Sequence, residues 1–77
     1  MKHIMVTGSN GMIGSQVVKK LLENGYMVTG ISAESTSKVE HKNYSYISMD
    51  LTNYKELQDV FQNNKFTHVI HLAAIAH

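Results

Sequence analysis

The chain has 77 residues with seven lysines, six acidic residues and a formal net charge of +1, and it contains neither arginine nor cysteine. The absence of arginine argues against a nucleic-acid-binding protein, whose basic surface normally uses that side chain. The absence of cysteine excludes disulfides and thiolate metal sites. No apolar run approaches the roughly 20 residues of a membrane span. We expect a single small cytoplasmic domain with neither a nucleic-acid nor a membrane partner.

The first part of the chain predicts a strand, a helix and a second parallel strand. The uninterrupted apolar run from Ile4 to Val6 is typical of a strand that is covered on both faces. Apolar residues then recur on one face of a helix, including Ile13, and Asn24-Gly25 is a stop signal. The predicted ranges are 2–7, 12–24 and 26–32.

The second part predicts a loop, a third strand, a second helix and a fourth strand. Residues 33–43 are polar and without a period, which indicates a loop. Asn53 is the predicted N-cap of the second helix, because Glu56 follows three residues later as in a capping box. The predicted strands cover 44–50 and 67–72, and the helix ends at 63–64. The predicted buried face of this helix consists of Tyr54, Leu57, Val60 and Phe61.

This alternation predicts an α/β fold with a parallel sheet of about four strands and helices on both faces. The expected strand order is 3-2-1-4, that of a partial Rossmann fold, in which a ligand crevice opens at the carboxyl ends of strands 1 and 4.

A glycine-rich turn lies between the first strand and the first helix, where the free N–H groups and dipole of a helix start suit a pyrophosphate. It is not a Walker loop, because no Gly-Lys-Ser/Thr follows, and it is one residue longer than the G-x-G-x-x-G form. On these residues alone an ordinary tight turn remains the alternative. The stretch reads Thr7-Gly8-Ser9-Asn10-Gly11-Met12-Ile13-Gly14.

Three stretches together resemble the extended short-chain dehydrogenase/reductase family of nucleotide-sugar epimerases and dehydratases. The glycine turn is similar to the family's T-G-x-x-G-x-[IL]-G. The other two matches are Asp50-Leu51-Thr52-Asn53, similar to D-L-T-D, and Val69-Ile70-His71-Leu72-Ala73-Ala74, similar to [VI]-[IF]-H-L-A-A. The resemblance covers the chain, so residues 1–77 are expected to be the N-terminal part of a dinucleotide-binding domain that is truncated and has no second domain.

The resemblance implies NAD or NADP as the cofactor. The glycine turn would wrap the pyrophosphate, Asp50 would accept a hydrogen bond from the adenine amino group, and the Leu51 backbone would meet the adenine edge. Ala73 and Ala74 would line the path to the nicotinamide ribose. The implied cofactor-binding residues are Gly8, Asn10, Gly11, Met12, Ile13, Gly14, Ser32, Asp50, Leu51, Ala73 and Ala74.

Several of these polar and aromatic residues have simpler structural explanations. Asp50 is equally suited to capping the turn that follows it. His71, at the end of an apolar strand, is expected to be a hydrogen-bonded interior histidine. Tyr44, Tyr46 and Tyr54 are expected to pack in the sheet and helix. No metal site is expected, because His68 and His71 point to opposite faces of one strand.

The chain departs from the family pattern in two ways. Ser32 stands where an acidic residue normally holds the ribose hydroxyls of NAD. Glu34 would replace that acid if the loop folds back, whereas Ser35, Ser37 and Lys38 would suit NADP, so the cofactor stays open between the two. The chain also has no Tyr-x-x-x-Lys, the pair that carries acid–base chemistry in the family. No catalytic residue is therefore predicted.

The leading hypothesis is the NAD(P)-binding segment of a nucleotide-sugar epimerase or dehydratase-like oxidoreductase, inactive by itself and meeting its sugar substrate only in an intact enzyme. The alternatives are a non-catalytic NAD(P)-binding sensor or regulatory protein of the same fold, and a truncated product without activity. Strand 4 is expected to be an exposed apolar edge, which predicts self-association.

Overall fold

The computed structural model describes residues 2–72, which form four strands and two helices in the predicted order. Each element lies within its predicted range and differs from it by one or two residues at an end. The elements are β1 (His3–Thr7), α1 (Met12–Glu23), β2 (Met27–Ser32), β3 (Tyr44–Ser48), α2 (Tyr54–Asn63) and β4 (His68–His71). Neither helix in this part of the chain has the length and apolar character needed to cross a membrane.

The four strands form one parallel sheet in the order β3-β2-β1-β4, which confirms the predicted topology. In the centre of the sheet, Val6 pairs with Gly30 of β2 on one side and with Ile70 of β4 on the other. All carboxyl ends therefore lie along the same edge. Among residues 2–72, β3 and β4 are the outer strands.

Each face of the sheet carries its own apolar cluster, which confirms that helices cover both faces. On the α1 side the cluster consists of Ile4, Val6, Val18, Leu22, Val28 and Val39. On the α2 side it consists of Met5, Ile31 and Met49, with Leu57 and Val60 packed against them. Successive residues of a strand point to opposite faces. The continuous apolar run in β1 is therefore explained by its contribution to both clusters.

The predicted capping box at the start of α2 is present. The Asn53 side-chain oxygen accepts a hydrogen bond from the Glu56 backbone N–H at 3.2 Å. In return, the Asn53 amide nitrogen donates to a Glu56 carboxylate oxygen at 2.9 Å.

The C-terminal end of α1 is closed by Gly25, as the sequence predicted. The Gly25 N–H donates to the Leu22 carbonyl.

Three apolar side chains assigned to buried helix faces are exposed, so that part of the prediction was wrong. Tyr54 is 78% exposed, Ile13 is 63% exposed and Phe61 is 45% exposed. Periodicity identifies the apolar stripe of a helix, but it does not determine how far a sheet extends beneath that stripe. In α2 only Leu57 and Val60 pack against the cluster, and no residue of that helix is fully buried.

Candidate functional site

The glycine turn is attached to the carboxyl ends of two neighbouring strands. Gly8, with φ of 71°, turns the chain out of β1, and its N–H donates to the Ile31 carbonyl of β2 at 2.8 Å. The Ser9 N–H donates to the same carbonyl at 3.3 Å, and the Gly11 N–H closes the turn on the Gly8 carbonyl at 3.1 Å. This left-handed conformation favours glycine at position 8.

The start of α1 has no side-chain cap among the described residues. Gly11 occupies the N-cap position without a side chain, the first turn contains no acidic residue, and the first helical bond runs from Ser15 N to the Gly11 carbonyl. The backbone N–H groups of the first turn therefore lack intrahelical partners. Together with the helix dipole they favour an anionic group at this point.

A cavity of about 790 Å³ opens along the carboxyl edge of the sheet and includes this helix start. Its volume lies in the range of small-molecule and cofactor sites, roughly 300–1,000 Å³. It brings together nine of the residues implied by the sequence: Gly8, Asn10, Gly11, Met12, Ile13, Gly14, Ser32, Asp50 and Leu51. The remaining two, Ala73 and Ala74, lie outside the described residues.

Asp50 uses one carboxylate oxygen to cap the turn that follows it. Its Oδ1 accepts hydrogen bonds from the Thr52 backbone N–H at 2.9 Å and from the Thr52 hydroxyl at 2.8 Å. These two bonds hold the pKa of Asp50 below its ordinary value, and the bond from the Thr52 backbone has the larger effect. The side chain is therefore an anion at neutral pH. Asp50 also lines the cavity, and both capping bonds are to its Oδ1.

The Asn10 side chain is directed to the loop after β2. Asn10 is 2% exposed, and its Nδ2 donates to the Thr36 carbonyl at 2.7 Å and to the Tyr46 hydroxyl at 3.2 Å. Its Oδ1 accepts from the Lys38 N–H at 3.1 Å. A ligand in the cavity would therefore meet the backbone of Asn10 and not its amide.

His71 is hydrogen-bonded as predicted, but it is exposed and not interior. Its Nδ1 and the Thr7 hydroxyl lie 2.7 Å apart, and the Thr7 hydroxyl also accepts from the Leu72 N–H at 3.1 Å. The side chain lies at the last residue of an outer strand, which explains its exposure. Thr7 thus ties the end of β4 to the end of β1, beside Leu72, which lines the cavity.

Two buried hydroxyls lie beneath the loop without a hydrogen-bond partner among residues 2–72, those of Ser9 and Tyr44. Burial is the main cause that raises the pKa of Tyr44, and the nearby hydroxyls of Ser9 and Ser37 act in the opposite direction. Tyr44 therefore remains a neutral phenol over the physiological range. As predicted, its ring packs against the cluster on the α1 side of the sheet.

The sequence missed one contribution to the site, the hydrogen bonds of Tyr46, and it left the path of the loop after β2 open. Tyr46 was assigned to packing alone, yet its hydroxyl donates to the Glu34 carbonyl in addition to accepting from Asn10. The loop after β2 folds back, so that Glu34 and Lys38 line the same cavity as Ser32. A polar loop directly after a strand was the available signal, but its path depends on these long-range hydrogen bonds.

The site combines backbone N–H groups that lack intrahelical partners with charged side chains. Glu34 and Asp50 contribute negative charge and Lys38 contributes positive charge. Within residues 2–72 no group of three or more His, Cys, Asp or Glu side chains is placed to hold a metal ion. The arrangement is suited to an elongated ligand that has a phosphate in the middle and a polar group at its end.

A sequence profile of the NAD dependent epimerase/dehydratase family matches residues 4–77. A UDP-glucose 4-epimerase of Caenorhabditis elegans is 33% identical over 95% of this chain and 26% of its own. Among solved structures, the UDP-glucose 4-epimerase of Thermotoga maritima with UDP-glucose is 37% identical, with a TM-score of 0.83 over 96% of this chain and 25% of its own. The Bordetella bronchiseptica enzyme WbmH in complex with NAD+ is 27% identical, with a TM-score of 0.84 over 95% of this chain and 26% of its own. The chain thus spans about a quarter of the length of these relatives.

Proposed function

Since the chain belongs to the NAD dependent epimerase/dehydratase family, we propose that it forms the dinucleotide-binding part of a cytoplasmic oxidoreductase acting on a nucleotide sugar. By itself the segment binds the cofactor and does not turn over substrate. We propose a nucleotide-sugar substrate because the similar Thermotoga maritima structure is an epimerase with UDP-glucose.

One observation carries the proposal: the uncapped start of α1 opens into a cavity that runs along the carboxyl ends of β1, β2 and β3. A dinucleotide needs an anion site for its pyrophosphate and a polar pocket for its adenosine. In this cavity the glycine turn meets the first requirement, and the residues that follow β2 and β3 meet the second.

The residues of the chain take separate roles in holding the cofactor. The backbone N–H groups from Met12 to Gly14 bind the pyrophosphate. Asp50 accepts a hydrogen bond from the adenine amino group, while the Leu51 backbone meets the adenine edge. Ala73 and Ala74 leave room for the nicotinamide ribose. NAD, when bound, supplies reversible hydride transfer at a sugar carbon.

NAD is the proposed cofactor, in preference to NADP. The WbmH structure was solved in complex with NAD+. In this chain Ser32 lacks the carboxylate that normally binds the ribose hydroxyls, but Glu34 lines the same cavity two residues later. A carboxylate at this point accepts from the ribose hydroxyls and repels a 2′-phosphate. Lys38, on the same loop, favours NADP.

Proton transfer is assigned to groups outside these 77 residues, because the chain has no Tyr-x-x-x-Lys. One alternative function is a protein that binds NAD(P) without catalysis. An intact enzyme containing this segment would interconvert or dehydrate a UDP-sugar, whereas a sensor would bind the cofactor and leave every UDP-sugar unchanged.

Calorimetric titration with NAD and NADP tests the cofactor proposal. We expect saturable binding of NAD and weaker binding of NADP, with the preference reduced in Glu34→Gln and increased in Lys38→Ala. The matched control is Glu23→Gln, at the end of α1 and outside the cavity. Equal binding of both cofactors by the parent chain and by Glu34→Gln would contradict the choice of NAD, and absence of binding would contradict the proposed function.

A further inference from the structure

We infer that Asn10 is a positioning residue for the adenosine half of the cavity, acting through the loop of residues 33–38. This inference rests on the proposed function. Asn10 belongs to the glycine turn by sequence, but each of its side-chain hydrogen bonds reaches the loop or the Tyr46 hydroxyl, which in turn binds the loop.

The contacts of Asn10 match the requirements of a buried amide. With 2% of its surface exposed, Asn10 has little access to water, so its donors and acceptor depend on protein partners. Nδ2 bonds to the Thr36 carbonyl at 2.7 Å and to Tyr46 at 3.2 Å, while Oδ1 accepts from the Lys38 N–H at 3.1 Å. The Asn10 side chain thus fixes both the Thr36 carbonyl and the Lys38 N–H of the loop.

Tyr46 extends the same connection to the beginning of the loop. Its hydroxyl donates to the Glu34 carbonyl and accepts from Asn10. The loop is therefore fixed at Glu34, Thr36 and Lys38 by two side chains from outside it. Glu34, Thr36 and Lys38 are themselves exposed, so they have little packing of their own to hold them.

The position of the loop determines the shape of one wall of the cavity. Ala33, Glu34 and Lys38 line that wall next to Ser32. When a loop loses its anchors, only a fraction of the molecules retains the binding-competent arrangement, and the apparent affinity falls by that fraction. The pyrophosphate end is formed by backbone N–H groups of a different element and does not depend on the loop.

Because the pyrophosphate site does not include the loop, loss of the loop's anchors should weaken binding of adenosine-containing ligands and not of pyrophosphate. In Asn10→Ala and in Tyr46→Phe, we expect the affinity for NAD and for AMP to fall by similar factors, about tenfold if one molecule in ten keeps the loop in place. Binding of inorganic pyrophosphate should stay within about twofold of the parent chain, since its site does not include the loop. The Lys38 amide, which loses its acceptor in Asn10→Ala, should exchange with solvent faster in that variant.

Two matched variants separate positioning from general loss of structure. Asn24→Ala removes a side chain whose one hydrogen bond among residues 2–72 is to the Lys20 carbonyl at the end of α1. Tyr54→Phe removes an exposed hydroxyl on α2. Both should bind NAD, AMP and pyrophosphate like the parent chain. Circular dichroism verifies that each variant is folded before it is titrated.

The experiment is a titration of the full chain and these four variants with NAD, AMP and inorganic pyrophosphate, with amide exchange recorded at Lys38. Selective loss of NAD and AMP binding together with faster Lys38 exchange supports the inference. Equal losses for all three ligands, or faster exchange with unchanged AMP binding, overturns it while the proposed function stands. If the parent chain binds no NAD, the proposed function fails and the inference fails with it. If Asn10→Ala does not fold, Tyr46→Phe decides by the same criteria.

Discussion

A β-carbon on Gly14 would lie 2.0 Å from the carbonyl oxygen of Gly8 and 2.9 Å from its carbonyl carbon. The first turn of α1 therefore lies directly against the end of β1, at a distance that only a residue without a side chain permits. This contact sets the position of the helix start at the cavity.

Gly14→Ala tests the importance of that contact. Because the clashing atoms belong to the backbone, relief requires a shift of the helix, and we expect a loss of about 1–3 kcal/mol in the free energy of unfolding. Denaturant titration measures this loss, and calorimetry should show that NAD binding is abolished. Gly25→Ala is the matched control, since its β-carbon would meet nothing within 4 Å at the far end of the helix. It should lose stability because its φ is +84°, but it should keep NAD binding. Unchanged binding in Gly14→Ala would contradict the assignment of the helix start to the pyrophosphate.

The lowered pKa of Asp50 predicts that the chain loses stability at acid pH. Its pKa in the folded chain is lowered by the bonds from Thr52, below the unfolded value of about 3.9. The resulting stabilisation is present above the unfolded pKa and is lost as the pH falls through the folded pKa. Asp50→Asn should therefore be less stable than the parent at neutral pH, and the difference should shrink as the pH falls below the unfolded pKa. Denaturation midpoints measured across this range provide the test.

The raised pKa of Tyr44 predicts that the chain loses stability at alkaline pH. Burial raises the pKa of Tyr44 above the unfolded value of about 10, so the folded chain favours the neutral phenol. The parent chain should lose stability as the pH rises above about 10 toward the folded pKa. Tyr44→Phe should lack that part of the loss. Thermal denaturation at several pH values measures both effects. Tyr54→Phe, which changes a 78% exposed side chain, is the control and should be as stable as the parent chain at neutral pH.

The outer strand β4 predicts self-association of the 77-residue chain. It pairs with β1 on one side, and Val69 on this strand is 48% exposed. An apolar strand with unpaired backbone groups recruits a second strand. Sedimentation velocity should show an average mass that increases with protein concentration, and Val69→Lys should reduce this association. A monomer at millimolar concentration would contradict the prediction.

The sequence was sufficient for the topology because the elements are local and strongly marked. The run through Ile4, Met5 and Val6 indicated a strand covered on both faces, and Asn53 with Glu56 marked the start of α2. These signals depend on neighbours within a few residues, and the parallel order follows from short connections. Exposure was harder to predict, since whether Phe61 is covered depends on elements distant in the chain.

The candidate site shows the same division between local and long-range determinants. Glycine spacing predicted which residues form the turn, because backbone geometry is a local property. The direction of the Asn10 side chain was not predictable, since its partners Thr36, Tyr46 and Lys38 are 26 to 36 residues away in sequence. Asp50 was equally suited to capping or to ligand binding, and it performs the first role with one oxygen while lining the cavity.

Amide chemical-shift mapping of the isotope-labelled chain during titration with NAD tests the central claim most directly. We expect saturable shifts at Gly11, Ile13, Gly14 and Leu51, with the amides of α2 unaffected beyond its first turn. Absence of saturable shifts, or shifts confined to α2 and β4, would contradict the claim that the cavity at the start of α1 binds a dinucleotide.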